Sequence, residues 1–578
     1  MSDDSLASNS NQEDMVKKTS VHPFDGGHRV EHDANETVKD TSNVHSRQYQ
    51  LRMLNILLLI LLLGLFLFGF NGVISYEGDI QRSTFTVNGT VPTPLLEMRP
   101  THNPLPFVAI VAHGYGGSKD LMSSFGAELA HAGVTTYLLD FPGHGTSTVA
   151  MKQKEDATAT VETNSDVIAD VVHFVKQRYK TARQLKIILL GYAMGATAVE
   201  DYTSTHADDA TLIATILISP TSTKPDQTTI PIQQQNVLLL VGQNDFTTAL
   251  ATGQHLLHSG CEATDAQKIA QECGVPKTGS GRRLTLVPNA NHLTILNTNT
   301  TFHEILDWLH TTDPTIKANN VHADTRLFWL LLGAAAIMLA LIPLCPLLVE
   351  ILLIRAETRP FQFKQVLIGD LCLLVGIVAA LLIQRRWQPF SLVSIAFTDY
   401  ISGYCFIAAS VATLLFFILR RRMPWPAFSQ VARQILLGVI LAAFLYLTLG
   451  QLMTFAWENL TFTWPRLWRF AVVFALLLPL FLLDEGLNYS GQENNRFRTL
   501  ATSVIFKALV LGGLFVAIKV TMDLSFLELI FSLLALLFLM LVGTGMQLYN
   551  GGRAALAGAI FSALLLAWIL STTFPLTS

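Results

Sequence analysis

Two kinds of apolar pattern alternate along the chain. Short apolar runs occupy 107–112, 134–139, 185–190, 211–219, 237–241 and 284–287, and turn-forming residues close most of them. Short continuous runs bounded by such residues predict buried strands. A helical stretch at 166–179 lies between two of these runs. Strands alternating with helices predict a mostly parallel sheet with flanking helices.

Longer apolar runs stand on either side. The run at 53–70 is nearly unbroken and long enough to cross a bilayer. It lies far from residue 1 and lacks an A-x-A-like cleavage site, so it is predicted to be a signal anchor. Further membrane-length runs start near Leu327, Val366, Ile401, Ile435, Trp468, Ser503, Leu524 and Ala555. About nine spans are predicted, eight of them C-terminal, with boundaries blurred by a polar break at 519–526. The polar stretch 1–50 cannot bury a core and is predicted to be disordered. The expected plan is a tail (1–50), an anchor (51–75), an α/β domain (76–315) and a multi-pass helical region (326–575).

Composition strengthens the membrane reading. Of 578 residues, 50% are hydrophobic and only 14% charged, and the mean hydropathy is +0.40. No basic cluster with interleaved aromatics is present, so nucleic acid is not an expected partner; the bilayer is. Arg47 and Arg52 precede the first span and Glu77 and Asp79 follow it, which predicts a cytoplasmic N-terminus. Counting spans forward then puts Arg355, Arg359 and Lys364 inside, with Arg420–Arg422, Arg433, Arg496, Arg498 and Arg553. Arg385–Arg386 and the Arg466–Arg469 region dissent. The expected location is the plasma membrane, with the α/β domain extracytoplasmic.

Other polar residues change the picture less. The histidines of the tail lack metal-ligand spacing, so no metal is expected, and no cofactor motif stands out. Cys261 and Cys273 fit either a disulfide or two unbonded thiols. Glu350, Asp370, Lys507, Lys519 and Glu528 lie in or near apolar runs. Each is expected near a helix end, reaching the interface, with an intramembrane pair as the alternative.

The chemistry is carried by the turns. Gly191-Tyr192-Ala193-Met194-Gly195 joins one apolar run to the helical pattern of 196–199, as a strand, tight turn and helix. His113-Gly114-Tyr115-Gly116-Gly117 follows the first run and could turn backbone N–H groups toward an oxyanion. Asp140-Phe141-Pro142-Gly143-His144-Gly145-Thr146-Ser147 follows the second. Gly242-Gln243-Asn244-Asp245 and Asn289-Ala290-Asn291-His292 follow the last two. Taken singly, Asp245 is an ordinary turn residue, His292 a loop histidine and His144 a structural one.

In this order the motifs resemble those of α/β-hydrolases over about residues 76–310, nearest the monoacylglycerol-lipase and serine-aminopeptidase-like branch. The resemblance implies an α/β-hydrolase fold inserted between the anchor and the helical bundle. It implies Asp245 as acid, His292 as base, and the N–H groups of Tyr115 and Met194 as oxyanion hole. It departs at Ala193, where the family carries the serine nucleophile; a methyl group cannot attack. Three readings fit: a natural pseudoenzyme, an engineered Ser→Ala trap, or slow activity through another group such as a water activated by His292.

Three functions follow as expectations. The first is a membrane-anchored serine hydrolase of acyl esters or amides, lipid- or peptide-like, inactive or impaired with Ala193 in place. The second is a non-catalytic binding or scaffold protein whose protein partner is not identified. The third is a transporter with an accessory outer domain, for which no internal repeat speaks. The interval between Ser219 and Val237 is short, so no large lid is expected there.

Overall fold

The computed structural model describes residues 29–152, 157–180, 184–221, 236–259, 261, 272–318, 324–355, 362–387, 392–420, 427–488, 496–521, 537–538, 541–542, 545 and 554–578. Helix α1 runs Arg29–Tyr76. Part of the polar stretch expected to be disordered is therefore helical. Propagating a helix that already exists adds one hydrogen bond per residue, without a second nucleation cost.

The α/β domain follows at once. A hairpin of β1 (Ile80–Asn88) and β2 (Pro92–Pro100) leads into β3 (Phe107–Ala112), α2 (Ser123–His131), β4 (Thr135–Leu139) and α3 (Ala157–Arg178). Next come β5 (Lys186–Tyr192), α4 (Met194–Thr205), β6 (Leu212–Ile218), β7 (Val237–Gly242) and α5 (Thr247–His258). The domain closes with β8 (Glu272–Cys273), β9 (Arg282–Val287) and α6 (Asn299–Thr312). The strands form one sheet in the order β1-β2-β4-β3-β5-β6-β7-β9-β8. The five strands β4, β3, β5, β6 and β7, with β9, pair in parallel, while β1, β2 and β8 pair antiparallel at the margins.

Strand periodicity sorts the core into two layers. Ala109, Val111, Ile188 and Leu190 pack on one face with Phe125 of α2 and Phe302 and Trp308 of α6. Val108, Ile110, Ile187 and Leu189 pack on the other with Val167 of α3, Val199 of α4 and Leu256 of α5. Burial on both faces explains why these strands read as continuous apolar runs instead of alternating ones. The β1–β2 hairpin was not among the predicted strands; the Asn88-Gly89 pair at its turn is the signal for it.

The helical region comprises α7 (Arg326–Ile351), α8 (Phe363–Arg386), α9 (Thr398–Arg420), α10 (Phe428–Leu445), α11 (Gln451–Ala456), α12 (Trp464–Asn488), α13 (Arg496–Thr521) and α14 (Ala555–Thr573). A π-helical turn, Tyr446–Gly450, joins α10 to α11. Among the described residues, eight helices are long and apolar enough to cross a membrane, α1 included. The span predicted near Leu524 lies mostly outside the described residues, as do Arg359, Arg421, Arg422, Glu528 and Arg553. Lys507 is not at a helix end. It lies within α13 and pairs with Asp484 of α12 at 2.5 Å, also donating to Ser503. A partner inside the bundle makes the reach to the interface unnecessary.

A network of charges joins the start of the α/β domain to the start of the helices. Glu77 receives Arg82 at 3.0 Å and Arg326 at 2.9 Å, and Arg326 also pairs with Asp324. Arg82 reaches on to Asp120 at 3.3 Å. Paired in this way, the buried Arg326 and Glu77 avoid the penalty of an uncompensated charge. Cys261 and Cys273 form a disulfide, with Cα atoms 6.0 Å apart.

Candidate active site

Three strand ends meet at this site. β5 occupies the middle of the sheet between β3 and β6. At its end Ala193 adopts φ 48° and ψ −111°, a region that residues with a Cβ avoid. Such a conformation costs of order 1–3 kcal/mol and persists only where the surroundings impose it. Here they do: Ala193 N–H donates to Ile218 O at 2.9 Å, and α4 starts at the next residue. A Cβ on Gly195 would lie 2.5 Å from Ala112 O, so only glycine lets α4 press against the end of β3.

Asp245 follows β7 and His292 follows β9. Their side chains meet, His292 Nδ1 to Asp245 Oδ1, at 2.8 Å. The other carboxylate oxygen of Asp245 accepts Ser219 Oγ–H at 2.5 Å, and Oδ1 also accepts the Phe246 N–H at 2.7 Å. Burial alone would raise the Asp245 pKa. The hydrogen bonds from His292, Ser219 and Phe246 outweigh it and hold the carboxyl below its ordinary range. The anionic acid then fixes the imidazole tautomer with the proton on Nδ1. Tyr192 Oη–H donates to the His292 carbonyl at 2.9 Å, and the Phe246 ring lies 4.8 Å from the imidazole. The orienting contacts from Ser219, Tyr192 and Phe246 were not assigned from sequence. The left-handed Ser219, φ 46° at the end of β6, marks one of them only in three dimensions.

The loop after β3 reaches the same place. A Cβ on Gly114 would stand 3.2 Å from the Ala193 methyl, so this backbone lies directly against the elbow. Tyr115 is the next residue. On the other side, Met194 is the first residue of α4, and its N–H is among those a helix leaves without an intrahelical acceptor.

Beneath the loop lies a buried polar frame. Asp140 accepts the Lys119 N–H at 2.7 Å, the Thr146 N–H at 2.8 Å and Lys119 Nζ at 2.8 Å. Burial opposes its ionisation, but Lys119 and His113 prevail and hold its pKa low. His113 Nε2 accepts the Phe141 N–H at 3.1 Å and its Nδ1 donates to Gly114 O at 2.7 Å. His144 Nδ1 donates to Pro142 O at 2.9 Å; burial and the neighbouring His113 push its pKa down to about 3, so it is neutral.

The helical region contributes an anchor to this frame. Arg466 of α12 donates from Nη2 to Gly143 O at 2.7 Å and from Nη1 to Ser571 O and Phe574 O at 2.6 and 2.9 Å. Arg469 Nε donates to Val393 O at 2.6 Å. Of the arginines that dissent from the charge count along the predicted spans, Arg466 and Arg469 are thus spent on tertiary contacts.

Residues 106–271 match the family model for serine aminopeptidase S33. No curated protein sequence matches the chain. Among solved structures, the chain is similar to a CIB-like hydrolase from Thermoplasma acidophilum at 17% identity, covering 40% of this chain and 98% of that one, TM-score 0.29. It is similar to a dienelactone hydrolase from Anabaena variabilis at 18% identity, covering 40% and 97%, TM-score 0.29. A carboxylesterase from Bacillus subtilis is 14% identical, covering 42% and 96%, TM-score 0.28. The matched segment, read with the sheet order and the elbow that the structure itself displays, supports the α/β-hydrolase superfamily for this domain.

Proposed function

We propose that the domain is an acyl site of serine-hydrolase architecture in an integral membrane protein. It binds acyl esters or amides, and with Ala193 at the nucleophile position it forms no acyl-enzyme. The observation that carries this reading is the 2.8 Å bond between His292 and Asp245, beside an elbow that keeps its strained backbone without a nucleophile. Long apolar helices on both sides of the domain support the membrane setting, and the arginines before the first span support a cytoplasmic N-terminus with the domain outside.

The roles follow from position. A hydroxyl at residue 193 would attack the acyl carbon and pass its proton to His292 Nε2. Asp245 would hold the Nδ1 proton and stabilise the imidazolium. The N–H groups of Tyr115 and Met194 would receive the charge on the carbonyl oxygen. The imidazolium would then protonate the leaving alcohol or amine as it departs, and water would release the acid by the same path. Ala193 removes the first step and leaves the binding terms.

The test is Ala193→Ser in the full chain. We expect labelling by a fluorophosphonate and hydrolysis of a short acyl ester, both lost on adding His292→Ala. The unaltered chain should neither label nor turn over at residue 193. A folded Ala193→Ser protein that neither labels nor hydrolyses any member of an ester and amide panel would refute the proposal.

A further inference from the structure

A cavity of about 580 Å³ opens away from the elbow. That volume falls within the roughly 300–1,000 Å³ usual for a small-molecule site. None of the residues lining it belongs to the elbow, to the Asp245–His292 pair or to Tyr115. Its walls are strand β1, the segment Lys119–Asp120 and the ends of two membrane-length helices. Phe70 lies near the end of α1, and Phe455 is the last residue of the apolar stretch Phe428–Phe455; their rings are 6.2 Å apart.

Strand β1 sets a row of polar groups along the cavity. Arg82, Thr84 and Thr86 alternate in sequence, so they share one face of the strand, and all three line the space. Both threonines are exposed. Arg82 donates to Glu77 from Nη1 at 3.0 Å and to Asp120 from Nη2 at 3.3 Å, and its guanidinium lies 4.3 Å over the Phe455 ring. Its side chain is 18% exposed, against 7% for Asp120 and 4% for Lys119, so it is the charge a ligand meets first. Asp120 accepts Arg82 on Oδ1, and Lys119 Nζ and Asn459 Nδ2 on Oδ2 at 3.4 and 2.9 Å. A carboxylate offers about four acceptor sites, and these bonds take three.

The charges around the cavity disfavour an anion. Arg82, Lys119 and Arg326 share one network with four carboxylates, Glu77, Asp120, Asp140 and Asp324. Glu458, whose pKa burial pushes up to about 8, adds no charge at neutral pH. A ligand carrying only negative charge would enlarge the excess. A quaternary ammonium needs ring faces to cage it. Here Arg82 stands over Phe455, Arg178 stands 5.5 Å over Phe85, and Phe70 stacks on Phe66. A phosphate beside Arg82 with a primary ammonium beside Asp120 meets both signs through charge-assisted hydrogen bonds.

We propose that this cavity binds the headgroup of a membrane phospholipid of the ethanolamine type, with its phosphate on Arg82 and Thr84 and its primary ammonium on Asp120. The acyl chains follow Phe70 and Phe455 toward the apolar slab, since the two rings stand where membrane-length helices end. The inference is independent of the acyl-site reading and rests only on the membrane setting proposed above. A lipid seated there bridges two span ends to the segment that follows the oxyanion loop.

The test is native mass spectrometry of the full chain in detergent, with dioleoyl phosphatidylethanolamine, phosphatidylcholine and phosphatidylglycerol added in turn. We expect the ethanolamine lipid to bind about tenfold more tightly than the other two, the scale of one hydrogen bond to a charged group. Thr84→Trp, which fills the mouth of the cavity from an exposed strand position, should abolish that preference. Asp120→Asn should bring the ethanolamine lipid down to the choline lipid and leave the choline lipid within about twofold, because only the ammonium loses a charged acceptor. Thr300→Trp, at an exposed position of α6, should change nothing. Thr84→Trp covers the case of an Asp120→Asn protein that fails to fold. Equal binding of the three lipids, or a preference that survives Thr84→Trp, would overturn the site. A preference for phosphatidylcholine or phosphatidylglycerol would overturn the pairing of ammonium with Asp120. Soluble glycerophosphoethanolamine binding as tightly as the intact lipid would overturn the bilayer as the source. Release of the chain from its membrane fraction by alkaline carbonate would instead overturn the membrane setting itself.

Discussion

Arg466 Nη2 donates to the carbonyl oxygen of Gly143 at 2.7 Å, across 323 residues of chain. One guanidinium, with no measurable exposure, joins a membrane-length helix to the loop beneath the candidate oxyanion hole. Its planar fork reaches three carbonyls on two segments, the Gly143 loop and the end of α14, a geometry that an ammonium cannot copy. We expect Arg466→Lys to lower stability by about 2–3 kcal/mol, the scale of losing hydrogen bonds from a charged donor in a buried site. A melt in detergent reads this directly, and an unchanged midpoint would deny the anchor role.

Gly143 itself tolerates no side chain. Its φ is +81°, and a Cβ there would lie 2.5 Å from Leu576 O. Gly143→Ala should push the 574–578 segment from its seat and cost of order 1–3 kcal/mol in strain alone. Protease cleavage within that segment should become faster than in the parent; equal cleavage rates would contradict the expectation.

The acid should matter for chemistry more than for folding. In the Ala193→Ser background, Asp245→Asn should lower turnover by about 10⁴, because the amide favours the wrong imidazole tautomer. Ser219→Ala should cost far less, since the His292 and Phe246 bonds to Asp245 remain. Single-turnover rates with a short ester separate the two, and a larger loss for Ser219→Ala would reassign the orienting role.

Glu458 supplies a pH dependence. It lies between two helices long and apolar enough to cross a membrane, buried beside Ser118, and burial pushes its pKa up to about 8. Its unfolded value is near 4.5. The folded state therefore holds a proton that the unfolded state gives up first. The stabilisation is complete below about pH 4.5 and is lost as pH rises through 8, because the unfolded state ionises more readily. Glu458→Gln should remove this slope, so that its advantage in melting temperature over the parent grows between pH 5 and pH 9. Parallel curves for the two proteins would show that Glu458 does not titrate as described.

Much of this protein is legible along the chain because local physics decides it. Strands buried on both faces must be continuous apolar runs, and membrane-length helices must be long ones, so β3, β5, β7 and most of the spans announce themselves. The turns after β3, β5, β7 and β9 carry their residues in sequence, so Ala193, Asp245, His292, Tyr115 and Met194 stand out along the chain as candidates. What the chain could not show is distance and company. The 2.8 Å meeting of Asp245 with His292, the grip of Ser219 on Asp245 and the left-handed backbone of Ala193 depend on strands brought side by side from segments far apart. Arg466 illustrates the limit best. In sequence it is a basic residue at odds with the count of charges along the spans, and only packing against Gly143 and Phe574 turns it into an anchor. Phe397 and Phe574 are likewise ordinary apolar residues at helix ends until the fold sets Phe397 against Tyr115 and Phe574 against Phe397. Hydrophobic periodicity is a property of neighbours along the chain, whereas a site is a property of neighbours in space.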